Sequence, residues 1–306
     1  MHKSVLLNEC LEYLNLKDDS IVVDCTLGYA GHSSHILKKI KRGFLFAFDQ
    51  DEDAIKASED KLNKIASNYE IIHSNFANLK NELEKRNIFK VDAVLYDLGV
   101  SSPQLDTKDR GFSFHNDALL DMRMDQSQDL TAKKVVNLYE EDKLIDIFYR
   151  YGEEKYAKSI AKGIINYRKE KQIETTLELV EIIKNNVPLR YRNQKHPARK
   201  VFQAIRIEVN NELEVFESSL HQALNMLNKN GRIAVITFHS LEDSICKNVF
   251  KSVTKLDDIY KKMPIVPEKD LPKFKVVGTI KPSKEEIENN KRARSAKLRV
   301  IEKVRD

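Results

Sequence analysis

Residues 20–32 read SIVVDCTLGYAGH, and this stretch decides the fold of the chain. The apolar run that opens it has the length and the β-branched content of a buried strand. A loop with glycines at Gly28 and Gly31 follows, and helical periodicity begins directly afterwards, over residues 33–40. A strand, a tight loop and a helix in this order predict the first half of a βαβ unit, whose two strands run parallel.

The same alternation continues for about seventy residues. Further apolar runs at 44–48, 70–73 and 91–96 predict three more strands, and residues 52–66 and 77–86 have helical periodicity. Strands and helices that alternate at this spacing form a parallel sheet with right-handed crossovers. The sequence therefore predicts a doubly wound, Rossmann-like α/β fold.

The pattern changes at about residue 106. Up to residue 211 no segment is a convincing strand, and helical stretches occur at 131–139, 154–167 and 176–185. We predict an all-helical insertion that divides the chain into three segments. They are a first core part at 1–105, the insertion at 106–211 and a second core part at 212–306.

Strand patterns return after the insertion. One helix face is predicted from Val209 to Leu227, with Gly231 as the stop signal, and residues 231–238 then form a buried strand. Residues 274–280 and 298–304 are candidates to complete the sheet, and the Pro-containing stretch at 263–272 is predicted as a surface loop.

Composition excludes several classes of protein. The chain has 306 residues and is 41% hydrophobic, yet it has no apolar run of membrane-spanning length and no signal peptide at its N-terminus. Its three cysteines, Cys10, Cys25 and Cys246, are far apart. This spacing predicts neither disulfides nor a zinc site, and favours a cytoplasmic protein without a metal or a membrane partner.

Basic residues are concentrated in two segments that contain no acid. Residues 182–207 hold seven of them, and residues 291–299 hold five. Two such segments favour a polyanionic partner, because phosphate contacts supply most non-specific affinity for nucleic acid; solvated surfaces are the alternative. The candidate RNA-binding residues are Arg190, Arg192, Lys195, Arg199, Lys200, Arg292, Arg294 and Lys297.

Candidate ligand-binding residues follow the predicted strands, where a doubly wound sheet binds its ligands. They are Asp24, Gly28 and Gly31 after the first strand, Asp49 after the second, Phe76 after the third and Asp97 after the fourth. An acid in the position of Asp49 is placed to accept the ribose hydroxyls of a nucleoside. Taken singly, Asp49 could be a helix cap, Phe76 a core residue and Asp97 a turn cap; their succession at four strand ends favours a nucleoside-containing cofactor.

The loop chemistry favours S-adenosylmethionine over a dinucleotide. A dinucleotide site needs a third glycine for its pyrophosphate, and here Gly31 is followed by His32. The acid Asp24 would repel a pyrophosphate but suits the ammonium group of a methionine moiety.

Longer motifs make the chain resemble a known family, the bacterial 16S rRNA cytosine-N4 methyltransferases. The matching segments are HKSVLLNE (2–9), DLGVSSPQLD (97–106), RGFSF (110–114), LDMRMD (120–125), YGEE (151–154), FQAIR (202–206), HSLED (239–243) and RARSAKLR (292–299). The resemblance spans nearly the whole chain. It departs from the family pattern at Tyr29 and Ala30, which replace glycines of the cofactor loop.

The resemblance implies an S-adenosylmethionine-dependent class I methyltransferase core, interrupted by a helical domain that recognises RNA. It implies cofactor contacts at Ala30, Gly31, His32, Asp49, Phe76, Asp97 and Gln104. The implied substrate is a cytosine in the decoding centre, in the P-site region, of 16S rRNA within the small ribosomal subunit.

The hypothesis for catalysis concerns the loop after the fourth strand. Asp97, or a backbone carbonyl near Ser101 and Ser102, is expected to accept a hydrogen bond from the cytosine amine. No cysteine lies in this loop, so methylation at C5 through a cysteine adduct is disfavoured. A methyltransferase for another nucleic acid and an RNA-binding assembly factor with a structural cofactor are the alternatives.

Three aromatic residues are candidates to stack on RNA bases: Phe112, Phe114 and Tyr191. A place in the core of the helical segment is the alternative for each of them.

Overall fold

Seven strands form one sheet in the computed structural model of the chain, which describes residues 4–193, 196–256, 258–260 and 266–306. The strands are β1 (Ile21–Asp24), β2 (Phe44–Asp49), β3 (Tyr69–His73), β4 (Val91–Asp97), β5 (Leu227–Thr237), β6 (Phe274–Ile280) and β7 (Lys297–Lys303). Their order across the sheet is β3-β2-β1-β4-β5-β7-β6.

The first five strands in this order run parallel, and β7 runs antiparallel to both β5 and β6. From β1 the chain first adds β2 and β3 on one side and then β4 and β5 on the other. This arrangement confirms the predicted doubly wound α/β fold. The strand order reverses between β1 and β4, which is where such sheets bind ligands.

Both faces of the sheet are buried. Val23 and Tyr96 belong to an apolar cluster on one face, and their neighbours Val22 and Leu95 belong to a cluster on the other. All four side chains are fully buried. Because successive strand residues point to opposite faces, continuous apolar runs are what a sheet covered on both sides requires.

The chain divides into two compact units. The described residues up to Gly99, together with Leu213–Asp306, hold the sheet, and Val100–Glu212 is helical. The helices are α1 (Leu7–Tyr13), α2 (Gly31–Lys39), α3 (Glu52–Asn63), α4 (Leu79–Glu84), α5 (Ser102–Asp106), α6 (Ala132–Leu138), α7 (Glu141–Arg150), α8 (Ala157–Arg168), α9 (Thr176–Asn185), α10 (Leu189–Arg192), α11 (Ala198–Asn210), α12 (Glu212–Met226), α13 (Ser240–Thr254) and α14 (Lys284–Asn289).

The helical unit has a core of its own. Val135, Phe148, Ile160, Ile183 and Ile205, from five different helices, belong to one buried cluster. Among its described residues the unit contains no strand and a single β-bridge, between Leu119 and Thr175. The sequence predicted α6, α8 and α9 but missed α7 and α11.

The predicted helix face from Val209 to Leu227 is confirmed over α12, where Phe216, Leu220 and Leu224 are buried, but both of its ends are wrong. Asn211 has a φ of 48°, in the left-handed region, and its backbone separates α11 from α12. Val209 therefore lies on α11, and Leu227 begins β5. Gly231 does not stop a helix but lies inside β5, where a Cβ atom would come within 2.7 Å of the backbone oxygen of Asp92.

Within the described part of the chain, no helix is long and apolar enough to cross a membrane. Among the same residues, no three His, Cys, Asp or Glu side chains are grouped so that they could hold a metal ion. All three cysteines are free thiols in buried positions. The predicted loop at 263–272 begins outside the described residues.

Candidate active site

The loop after β1 is held together by Asp24, which is only 1% exposed. One carboxylate oxygen accepts a 2.6 Å hydrogen bond from the Ser33 hydroxyl, and the other accepts a 3.0 Å bond from the backbone N–H of Thr26. Burial raises the pKa of Asp24 above its usual value. The carboxylate therefore shapes the loop from inside, with little surface left for the ammonium contact that the sequence predicted.

Thr26 joins this loop to the end of β4. Its hydroxyl accepts a 2.7 Å hydrogen bond from the backbone N–H of Asp97. The backbone N–H of the next residue, Leu27, donates to the carbonyl of Phe48 at 2.9 Å, which fixes the loop against β2 as well. Neither residue had a role predicted from the sequence.

Two residues of the loop have left-handed backbone. Gly28 has a φ of 51° and Ala30 a φ of 52°, although Ala30 carries a Cβ atom that disfavours this conformation. A Cβ atom at Gly28 would find one heavy atom within 4 Å, the Thr26 carbonyl oxygen at 3.9 Å, so open space lies beside this backbone. This is the space that a ligand at the switch point needs.

Gly31 lies close to the N-terminal segment of the chain. A Cβ atom there would lie 1.9 Å from the hydroxyl oxygen of Ser4, so the close approach is to the N-terminal segment of the chain. Gly31 also begins α2, directly after the left-handed Ala30.

Asp49 is the last residue of β2 and ties that strand to the glycine loop. One carboxylate oxygen accepts from the backbone N–H of Gly28 at 2.8 Å, and the other from that of Asp51 at 2.9 Å. Burial raises the pKa of Asp49 to about 6. A carboxylate oxygen has room for more than one hydrogen bond, so both oxygens can also accept from a ligand.

Phe76 lies just after β3, at the start of a 3-10 turn that Asn75 caps through its side-chain oxygen. The Phe76 ring is half-buried and meets the ring of Tyr96 edge-on, with 5.8 Å between centroids. The structure thus brings Phe76 to the same edge of the sheet as Asp49 and Asp97, as the sequence predicted.

Asp97 is the last residue of β4. Its Oδ2 lies 3.4 Å from Nδ1 of His32. Its Oδ1 is buried and has no hydrogen-bond partner among the described residues. A buried acceptor without a partner is costly, so this oxygen is a candidate contact for a ligand.

Ser101 and Gln104 bind each other at the start of α5, in the helical unit. The Ser101 hydroxyl accepts from the backbone N–H of Gln104 at 3.3 Å, and the Gln104 side-chain oxygen accepts from the backbone N–H of Ser101 at 2.9 Å. This reciprocal pair is a capping box, and Pro103 follows in the first turn, where it fits without loss of a hydrogen bond. The Ser102 side chain lies outside the described part of the structure.

The basic residues of the helical unit differ in how much of their charge faces water. Arg190 and Arg199 are exposed. Arg192 is half-buried and donates to the backbone carbonyl of Val187 at 3.2 Å, and Lys200 donates to that of Glu153. Lys195 lies outside the described residues.

Two further basic residues of the same segment are engaged by acids. Lys184 pairs with Glu181 at 2.6 Å, and Arg206 forms a bidentate pair with Glu212 at 2.8 and 2.9 Å. A count of basic residues along the sequence thus overstates the charge available to a partner.

Two cations of the second basic segment belong to a partly buried ion-pair network. Lys297 and Arg299 bind the carboxylate of Asp243 at 2.8 and 2.7 Å. Although burial alone would raise it, these two cations lower the pKa of Asp243 to about 2. Arg292 and Arg294 remain exposed on the turn before β7.

The three aromatic candidates pack inside the helical unit. Phe112 is 6% exposed, and the Phe114 ring stacks on His196 with 4.5 Å between centroids. The Tyr191 hydroxyl donates to the Glu154 carboxylate at 2.6 Å. These contacts favour the alternative interpretation, a place in the core, over base stacking.

Glu242 supports the loop after β5, and the sequence had given it no role beyond its motif. Its Oε2 accepts from the backbone N–H groups of Phe238 and His239 at 2.7 and 3.2 Å. The side chain is 3% exposed. The spacing of His239 and Glu242, three residues apart before a helix, was the signal of a capping box.

Comparison with known sequences decides the family. The profile of the MraW methylase family matches residues 1–304. The chain belongs to the MraW methylase family. It is therefore a methyltransferase, and S-adenosylmethionine is its methyl donor.

One relative of this MraW methylase agrees with that assignment. The chain is 53% identical, over 99% of its length and 94% of the relative, to a protein of Oceanobacillus iheyensis named ribosomal RNA small subunit methyltransferase H. It also matches the crystal structure of an rRNA methylase from Streptococcus thermophilus, at 14% identity and a TM-score of 0.44, over 100% of this chain and 99% of that one. A putative methyltransferase from Streptococcus mutans in complex with SAH matches at 14% identity and a TM-score of 0.45, over 99% of both chains.

Proposed function

We propose that this methyltransferase transfers a methyl group to N4 of a cytosine in the decoding centre, in the P-site region, of 16S rRNA. The 53% identical relative named as a small-subunit rRNA methyltransferase supports the substrate class. The observation that carries the proposed chemistry is the unpartnered, buried Oδ1 of Asp97 at the end of β4. The proposal places the enzyme in the cytoplasm, with its rRNA.

The residues at the switch point fit S-adenosylmethionine. Asp49 offers two carboxylate oxygens to a ribose, and Phe76 offers part of a ring to an adenine. Open space beside Gly28 gives the cofactor access to the loop backbone. When bound, the cofactor supplies an activated methyl group on a sulfonium.

The protein's task is to position a weak nucleophile. The lone pair of a cytosine amine is delocalised into the ring, so the amine reacts slowly unless its orientation is fixed. We propose that Asp97 accepts the hydrogen bond that fixes the orientation of the amine. Its Oδ1 accepts from an amine N–H. Positioning of this kind can supply several kcal/mol of a reaction barrier. Ser101 and Ser102 belong to the same proposed catalytic loop, and Gln104 to the proposed cofactor site.

The helical unit is proposed to bind the RNA. Its exposed Arg190 and Arg199 are suited to phosphate contacts, which bind any sequence and hold it in register. Arg192, Lys195 and Lys200 of the same segment are proposed as further RNA contacts, and Arg292, Arg294 and Lys297 of the sheet unit are proposed as separate ones. The target base must leave its stack to reach an enclosed site, as it does in other enzymes that act on bases.

The substrate class is tested by the choice of acceptor. Labelled S-adenosylmethionine is supplied with unmethylated small ribosomal subunits, and in parallel with large subunits and with duplex DNA. We expect label in the RNA of the small subunit alone. Label in DNA or in the large subunit would indicate another nucleic-acid substrate, and cofactor binding without transfer to any acceptor would favour an assembly factor.

A further inference from the structure

The ring of His32 lies between the N-terminal segment and the end of β4. Its Nε2 is 3.1 Å from the backbone oxygen of Val5, and its Nδ1 is 3.4 Å from Oδ2 of Asp97. The side chain is 5% exposed. The two ring nitrogens therefore have separate and fixed neighbours.

These neighbours determine which nitrogen can change its protonation. A carbonyl oxygen only accepts hydrogen bonds, so Nε2 must carry a hydrogen to bind Val5. The nitrogen left to gain or lose a proton is then Nδ1, which faces Asp97. Without a proton, Nδ1 would direct its lone pair at a carboxylate; with one, it donates a hydrogen bond to Oδ2.

The charges around the ring favour the protonated form. Burial alone would lower the pKa of His32, but the hydrogen bond with Asp97 raises it well above its usual value. The other titratable groups near the ring are Cys10 on α1, with Glu9 beyond it, and Asp24 at the end of β1. Burial raises the pKa of the Cys10 thiol, so this neighbour is neutral.

We propose that His32, as an imidazolium, is a positioning residue for Asp97. Its Nδ1–H binds Oδ2 and fixes the carboxylate in one orientation, so that Oδ1 is left to accept the hydrogen bond of the substrate amine. When the nitrogen–methyl bond forms and the sulfur–methyl bond breaks, the electron pair of the latter stays on sulfur. The surplus proton of the amine passes to Oδ1, and from there to solvent after release. This inference rests on the proposed function of Asp97.

A matched pair of substitutions separates this role from a structural one. The amide nitrogen of Asn lies where Nδ1 of His lies, so His32→Asn keeps a donor to Asp97 and loses the bond to Val5. The longer side chain in His32→Gln places its amide nitrogen near the position of Nε2. This variant therefore keeps the hydrogen bond to Val5 and loses the one to Asp97. We expect His32→Asn to retain most of kcat, and His32→Gln to lose about 10- to 100-fold, the effect of a misplaced reacting group.

The pH profile gives a second readout. In the wild type, kcat should fall as pH rises through the pKa of His32, because the imidazolium is the active form. This alkaline decline should be absent in His32→Asn, whose amide does not titrate. If His32→Gln is the more active variant, or if the decline persists in His32→Asn, the proposal is overturned.

A third readout needs neither substrate nor cofactor. NMR titration of labelled histidines, with the His32 signal assigned by its loss in His32→Asn, measures the pKa of the ring in the free enzyme. We expect it well above 6.5, with Nε2 protonated throughout, and lower in Asp97→Asn. A His32 ring that is neutral at pH 6, or unaffected by Asp97→Asn, would contradict the pairing even if the rRNA substrate is confirmed. A confirmed pairing without rRNA methylation would instead contradict the proposed function.

Discussion

We predict that Asp49 makes cofactor binding dependent on pH. Protonation turns one carboxylate oxygen into an O–H donor and weakens it as an acceptor, and the pKa of about 6 places this change in an accessible range. We expect the affinity for S-adenosylmethionine to rise between about pH 5 and pH 7 as Asp49 loses its proton. Calorimetric titration across this range measures the change.

The control for this prediction is Asp49→Asn, whose amide does not titrate in the range. Its affinity should be weaker than that of the wild type at neutral pH and flat through pH 6. A wild type without pH dependence, or a variant with the same rise, would mean that Asp49 does not contact the cofactor.

At the residue scale, the sequence predicted where candidate site residues lie along the chain better than it predicted which residues they contact. Asp49, Phe76 and Asp97 were found because each follows an apolar run, a signal local to the sequence. The contacts of Ser4 with Gly31, and of Val5 with His32, join residues that are 27 positions apart. Nothing in either local pattern specifies such a pair, so the environment of His32 became visible only in three dimensions.

At the scale of elements, Glu242 holds the turn from β5 into α13. Glu242→Ala would leave the backbone N–H groups of Phe238 and His239 without their acceptor. Unmade hydrogen bonds of this kind predict a loss of about 2 kcal/mol or more in the free energy of unfolding. Urea unfolding of wild type and variant measures it.

Glu242→Gln is the matched variant, because its amide oxygen still accepts from the turn. We expect it to lose less than half as much stability as Glu242→Ala. Equal losses in the two variants would show that the charge, rather than the pair of backbone hydrogen bonds, is what the turn requires.

The strands were predictable for a physical reason, and one helix boundary was not. A sheet buried on both faces needs continuous apolar runs, and these stand out in the sequence. The apolar spacing continues from α11 into α12, although the left-handed backbone of Asn211 breaks the helix between them. Gly231, a plausible stop signal, is instead needed for its close approach to β4.

At the scale of the whole molecule, charge along the sequence predicted a polyanion partner but not which cations are available to it. We expect Arg190→Gln with Arg199→Gln to weaken RNA binding and to reduce the slope of log affinity against log salt by about 1.4 to 1.8, if each side chain contacts one phosphate. Lys158→Gln with Lys162→Gln, exposed residues of α8, makes the same change in charge outside the basic segment. An equal effect of both pairs of substitutions would show that RNA binding depends on the net charge of the protein and not on the proposed surface.

The identity of the methylated nucleoside is the sharpest test of the proposed function. Small subunits that lack the modification are incubated with the enzyme and labelled S-adenosylmethionine, and their 16S rRNA is digested and analysed by mass. The account predicts N4-methylcytidine at a single position in the decoding centre. Label on C5 of cytosine, on a ribose or on another base would contradict the assigned atom, and label spread over many cytosines would contradict the assigned site.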